Sequence, residues 1–217
     1  MSTPQHSQTP GRDAWASREL KRETAQYMKV IGAVVLAIVL IKSFVIESCP
    51  VHGPSMLPLL HENERILVWK LPTALSNLPG MAWLQPIGTN DLAVFRSADE
   101  EDKHYIKRVI AVGPPRTSER IVNAAAPDAH STEAVDVKYQ FGKVYVNNAL
   151  VTEDYLLEEE KESPMESEAW LESGEYYVLG DHRSVSKDSR RFGPVKHDQL
   201  IGRAIFRFWP LDKFGFL

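Results

Sequence analysis

Between Val30 and Ile41 the chain reads VIGAVVLAIVLI without one polar side chain, and after Lys42-Ser43 the apolar run resumes as Phe44-Val45-Ile46. Such a run must be buried, in protein or in lipid. At 1.5 Å per residue, Val30–Ile46 reaches roughly 25 Å, slightly under the ~30 Å hydrocarbon thickness of a bilayer, so Lys42 is expected to snorkel to the nearby interface. A buried core helix and a cleaved leader are the competing readings. Against a leader, no small-x-small pattern follows the run, and Glu47 stands where a lipoprotein-type leader before Cys49 needs a small or apolar residue. The reading adopted is a single retained transmembrane anchor over residues 28–47.

Five basic residues precede the run: Arg12, Arg18, Lys21, Arg22 and Lys29. Basic residues in short flanks favour the cytoplasmic side. Residues 1–27 are therefore expected as a cytoplasmic tail, mobile over its polar first 20 residues, and residues 48–217 as a domain on the outer face of the plasma membrane. Chemistry found in that domain acts on material that crosses the bilayer.

The 217 residues suffice for one such domain plus the anchor. A net charge of −4 argues against a nucleic-acid binder, which needs a basic footprint. Cys49 is the only cysteine, so no intrachain disulfide and no Cys-based zinc site is expected. Past the anchor come short β-like runs: Ile66–Trp69, Leu92–Phe95, Tyr105–Val112, Val135–Gln140, Lys143–Val146, Tyr176–Leu179 and Ile201–Phe208. Gly, Pro and Asn punctuate them, which predicts a mostly-β domain. Asn147-Asn148 between two such runs predicts a tight hairpin, because Asn tolerates positive φ. Leu71–Pro86, with three prolines, reads as an irregular loop whose apolar residues pack against the sheet or touch the membrane surface through Trp83. Between Glu153 and Glu172, nine acidic residues and one lysine read as a solvated surface segment without EF-hand spacing.

Three segments carry chemistry. In Gly53-Pro54-Ser55-Met56-Leu57-Pro58, glycine and two prolines stiffen the backbone around one hydroxyl. A serine is a weak nucleophile without a base in reach. In Tyr105-Ile106-Lys107-Arg108-Val109-Ile110, strand alternation puts Lys107 and Arg108 on opposite faces, so one of them must point inward. A lysine buried among apolar groups falls from ~10.4 by up to several units and becomes a competent base, which an arginine does not. The third segment, Gly180 to Arg190, is a dense polar loop where Asp188 and Arg190 can pair and Ser186 or Ser189 can orient an amine without charging it.

In this order, behind an apolar N-terminal segment and with Asp91-Leu92-Ala93-Val94-Phe95 between the first two, the segments resemble those of type I signal peptidases. These are serine–lysine proteases of bacterial membranes with mitochondrial relatives. The likeness runs from about Val30 to the C-terminus and is weakest over about 114–172, where members vary in length. It implies a mostly-β fold similar in core to the self-cleaving LexA-type repressors. By position it implies Ser55 as nucleophile, Lys107 as general base, Ser186 as the hydroxyl orienting the lysine, and Asp188 with Arg190 as a supporting salt bridge. It further implies that signal peptides of secretory preproteins are removed after small-x-small sequences, with no metal or organic cofactor.

Gly53 departs from the many Gram-negative members in which a serine there helps hold the oxyanion, and matches many Gram-positive ones. His182 and Val185 stand where asparagine is frequent; His182 and His52 are read as structural. A non-catalytic paralogue assisting surface-protein or pilus assembly is disfavoured by the presence of Lys107. A self-cleaving repressor is disfavoured by the anchor and by the absence of a DNA-binding helix pair. A peptidase specialised for one substrate remains open.

Overall fold

In a computed structural model of the chain, the described residues are 12–81, 84, 86–97, 103–115, 134–162 and 164–217, with only the backbone described for 12–20. The chain divides after Ser43 into a helical unit and a β unit. The helical unit is α1 (Arg12–Leu40), which runs on into a π-helical turn, Ile41–Val45. Its stretch Lys21–Val45, 25 residues, is long and apolar enough to cross a membrane. Helix begins earlier than the expected tail allows, because residues 12–29 are rich in Ala, Arg, Glu and Lys, all good helix formers. Residues 1–11 lie outside the described residues. Ile46 and Glu47, expected within the apolar span, belong to the first strand.

The β unit contains β1 (Ile46–Pro50), β2 (Arg65–Trp69), a short helix α2 (Leu71–Ser76), β3 (Leu92–Arg96), β4 (His104–Val112), β5 (Val135–Gln140), β6 (Lys143–Val146) and β7 (Ala149–Leu150). It continues with β8 (Glu166–Leu171), β9 (Glu175–Leu179), α3 (Ser189–Phe192), β10 (Val195–Lys196), β11 (Leu200–Trp209) and β12 (Gly215–Phe216). One antiparallel sheet has the order β1-β2-β11-β3-β4-β9-β10, with β12 on β11; a second has the order β7-β6-β5-β8. All seven expected strands are present to within one residue at each end. The β6–β7 hairpin turns on Asn147 and Asn148, at φ of 50° and 63°.

Three expectations are corrected. The acidic segment contributes a strand, β8, paired along its length with β5; Glu166 and Glu168 sit on its outer face while Leu171 is buried, so charge masks the strand alternation. Within the same segment Glu153 and Glu160 are buried, not solvated. Leu71–Ser76 is helical, with Pro72 at the first turn where its missing N–H is harmless. The apolar residues after it do not all pack on the sheet: Leu78 and Met81 are exposed, and Trp83 lies outside the described residues.

β3 and β4 lie in the middle of the large sheet and are buried on both faces. Leu92 and Val94 pack with Cys49, Met56, Leu60 and Ile106, whereas Ala93 and Phe95 pack with Val109, Tyr176 and Val178. Ile110 and Ala111 of β4 join a third cluster with Val137, Tyr139 and Leu171 of the small sheet. A strand covered on both faces reads as a nearly continuous apolar run, which explains LAVF in β3. It also means that neither Lys107 nor Arg108 points to solvent, where alternation alone requires only one of them to be inside.

Phe95 is 2% exposed, with Tyr105 and Phe192 edge-on to it at ring-centroid distances of 6.1 Å. Phe95→Ala is expected to destabilise the β unit by about 3–5 kcal/mol, read by chemical denaturation.

Candidate active site

The loop carrying Ser55 leaves β1 and returns to β2. Backbone bonds Val51 N–H to Glu64 C=O (2.8 Å) and Asn63 N–H to Val51 C=O (3.0 Å) close its neck. Met56 and Leu60 are its buried anchors, and Ser55 between them and solvent is half-buried. Gly53 takes φ of +76°, a conformation that side chains strain to adopt, although nothing lies within 4 Å of where its Cβ would be.

Lys107 approaches this loop from β4 and is 2% exposed. Its Nζ donates to Ser55 Oγ at 2.7 Å and to the Ile106 carbonyl at 3.1 Å, and lies 5.4 Å from the centre of the Tyr105 ring. Burial lowers its pKa to about 8, against a smaller opposing pull from Asp188 and Asp181. Both hydrogen-bond partners are neutral oxygens, so neither supplies the counter-charge that would keep the ammonium form.

The polar loop after β9 builds the surroundings. Asp188, fully buried, accepts from Arg190 Nε at 2.8 Å and Nη2 at 2.9 Å, from the Gly180 N–H at 3.0 Å, and caps α3. Arg190 also donates to the Arg183 carbonyl at 2.7 Å, and Ser189 Oγ accepts from the Val178 N–H at 2.9 Å. Ser186 lies buried in the same loop. Its buried Oγ has no hydrogen-bond partner among the described residues, and Lys107 takes the Ile106 carbonyl instead. A Cβ on Gly180 would overlap both Ser186 Oγ and the Ser55 carbonyl, so glycine there is what lets the two loops touch.

Several participants have no site role assigned from the sequence. Arg108 forms a bidentate pair with Asp181 at 2.8 and 2.6 Å, donates to the Asn90 carbonyl, and lies 4.0 Å from the centre of the Tyr155 ring. Arg183 pairs with Glu153, one contact being 3.1 Å. His182, read as structural, bridges the loops: its N–H donates to the Ser55 carbonyl at 3.1 Å, its Nδ1 lies 3.2 Å from the Pro54 carbonyl, and its Nε2 lies 3.2 Å from Glu160. The signal available is the run Asp181-His182-Arg183 itself, three polar residues directly after a buried strand. His52 is exposed.

A mostly-β unit with a buried amine against a serine hydroxyl has the parts of a hydrolytic enzyme, and comparison with known proteins gives the class as peptidase. The profile of the family described as signal peptidase, peptidase S26, matches residues 24–118 and 134–209, and the chain belongs to that family. It is 28% identical over 199 residues to signal peptidase IB of Staphylococcus aureus (strain COL), covering 90% of this chain and 94% of that one. It is 31% identical over 186 residues to signal peptidase I of Bacillus caldolyticus, covering 84% and 90%. A crystal structure of a signal peptidase I from Enterococcus faecalis aligns at 23% identity and a TM-score of 0.41, over 55% of this chain and 97% of that one. The Staphylococcus and Bacillus relatives agree with the Gram-positive leaning of Gly53.

Arg108→Met leaves Asp181 buried and uncompensated, and is expected to destabilise the β unit by about 3–5 kcal/mol. Adding Asp181→Leu should recover a large part of that loss, measured as a double-mutant cycle in denaturant.

Proposed function

We propose that this chain is a signal peptidase I in which Ser55 is the nucleophile and Lys107 its general base, cutting signal peptides from preproteins at a membrane. The 2.7 Å approach of Lys107 Nζ to Ser55 Oγ, with the amine buried and drawn down to about 8, carries this reading. Family membership supports the substrate class.

Neutral Lys107 takes the Ser55 proton as Oγ attacks the scissile carbonyl, forming an acyl-enzyme. The resulting ammonium gives its proton to the leaving amine. Neutral again, Lys107 activates the water that breaks the ester and frees the signal peptide. The Ser55 backbone N–H is the oxyanion donor assigned here; with Gly53 in place of serine, no second side-chain donor is invoked. Asp188 and Arg190 are positioning residues: each satisfies the other, which limits how strongly Asp188 draws a proton onto Lys107. Ser186, with an unspent hydroxyl beside Gly180, is assigned to orient the amine during turnover. The basic residues before the span support a cytoplasmic N-terminus with the β unit outside.

The test is cleavage of a model preprotein by the full chain in detergent. Ser55→Ala and Lys107→Ala should each lose more than about 10⁴-fold in kcat, and Lys107→Arg should be as inactive as Lys107→Ala because a guanidinium does not deprotonate. A variant of Lys107 that still cuts would overturn the dyad. Because the base must be neutral, kcat/KM should rise with pH and level off above about 8. Arg190→Met leaves Asp188 without its partner, which favours the ammonium and should move the rise to higher pH. Ser186→Ala should lower kcat while changing stability by less than about 1 kcal/mol, since no folded-state hydrogen bond is lost.

A further inference from the structure

Away from the dyad, three unlike donor groups converge where the sheet order does not lead one to expect it. Glu47 and Cys49 lie two apart on β1, so their side chains share a face. His104 opens β4, which is separated from β1 in the sheet by β2, β11 and β3. Even so, Cys49 and Ile106 share one core cluster, so the sheet curls until β1 and the start of β4 face each other without pairing. Across that seam His104 Nδ1 lies 4.0 Å from Glu47 Oε1, and Cys49 Sγ lies 3.9 Å from the same oxygen. All three ligand atoms fall within 4.8 Å of one another.

We propose that Glu47, Cys49 and His104 form a binding site for a thiophilic divalent cation of the zinc class, clamping β1 to β4. Ligand-to-metal distances of about 2.0–2.3 Å in a tetrahedral site put ligand atoms about 3.4–3.6 Å apart, so small side-chain adjustments close this set around an ion. Thiolate, imidazole and carboxylate together select zinc or cobalt over calcium or magnesium. Glu47 is already oriented as a ligand, since Lys70 Nζ holds Oε2 at 3.0 Å and leaves Oε1 turned to the cysteine and histidine. Three protein ligands leave a fourth position for water. Burial and the neighbouring carboxylate keep the Cys49 thiol protonated in the metal-free chain, so binding forms a metal–sulfur bond and releases one proton to solvent. The single cysteine excludes a site built from several cysteines; it does not exclude a mixed site, in which the fold brings a histidine from a strand 55 positions away. None of the three residues belongs to the proposed dyad or its supporting pairs.

The experiment is titration of the untagged full chain in detergent with cobalt(II) alone, followed by absorption spectroscopy, with zinc as competitor. Cys49 is the only cysteine, so a thiolate-to-cobalt charge-transfer band can arise only there. The expected result is that band, together with intense tetrahedral d–d bands, saturating at one equivalent and bleached by zinc. His104→Ala, an exposed position whose loss does not threaten folding, should weaken cobalt binding by at least about tenfold, and Glu47→Gln likewise. The proposal is overturned if no charge-transfer band appears, if the band saturates at half an equivalent because two chains share one ion, or if His104→Ala binds as tightly as the parent.

Discussion

Burying one amine is the constraint on which the rest of the β unit depends. Lys107 is useful as a base only if its charged form is disfavoured, and a lysine in contact with a carboxylate would instead be held as an ammonium. Two carboxylates, Asp181 and Asp188, lie near enough to pull in that direction. Each is taken up by its own arginine, Arg108 and Arg190, through two charge-assisted hydrogen bonds. The amine is left with a serine hydroxyl and a main-chain carbonyl. Desolvation then dominates, and the pKa falls.

The arrangement explains why so much charge is buried in a small unit. Buried ion pairs contribute little net stability compared with apolar groups of the same shape, because desolvation offsets most of the attraction. What they contribute here is position. Asp188 holds the Gly180 N–H and caps α3; Gly180 allows its loop to touch the Ser55 carbonyl; His182 donates to that same carbonyl. Arg108 and Lys107, adjacent on one strand, serve opposite faces only because β4 is covered on both. An edge strand or a strand with one wet face would leave one of them hydrated and lose either the proposed base or the frame.

The strands are legible wherever burial writes a continuous or alternating apolar pattern, as in LAVF of β3 or the Asn-Asn hairpin. β8 is hidden because its outward positions are glutamates, and the net charge of the segment outweighs the alternation beneath it. The start of α1 escapes a reading that equates polarity with mobility, whereas helix propensity in residues 12–29 needs no apolar period. At the site, Ser55, Lys107, Asp188 and Arg190 stand out in the sequence, and the structure brings the first two together and pairs the last two. Partners such as Glu153 for Arg183 and Glu160 for His182 are not readable there. They join residues 30 and 22 positions apart across a turn of chain, and no local pattern encodes that contact.

Those two contacts change how the acidic segment is understood. The segment lies inside the part of the chain that the family profile matches, residues 134–209, and its composition alone invites treating it as a solvated surface. In this chain Glu153 is the buried counter-charge of Arg183, and Glu160 accepts from the Ser184 N–H and hydroxyl while facing His182. His182 in turn holds the backbone of Pro54 and Ser55. The connection from the acidic segment to the serine loop therefore runs through one carboxylate, Glu160, and one imidazole, His182. The acidic segment has to deliver carboxylates at two points, because Arg183 is too deeply buried to be left unpaired and His182 is otherwise free to turn away from the loop it steadies.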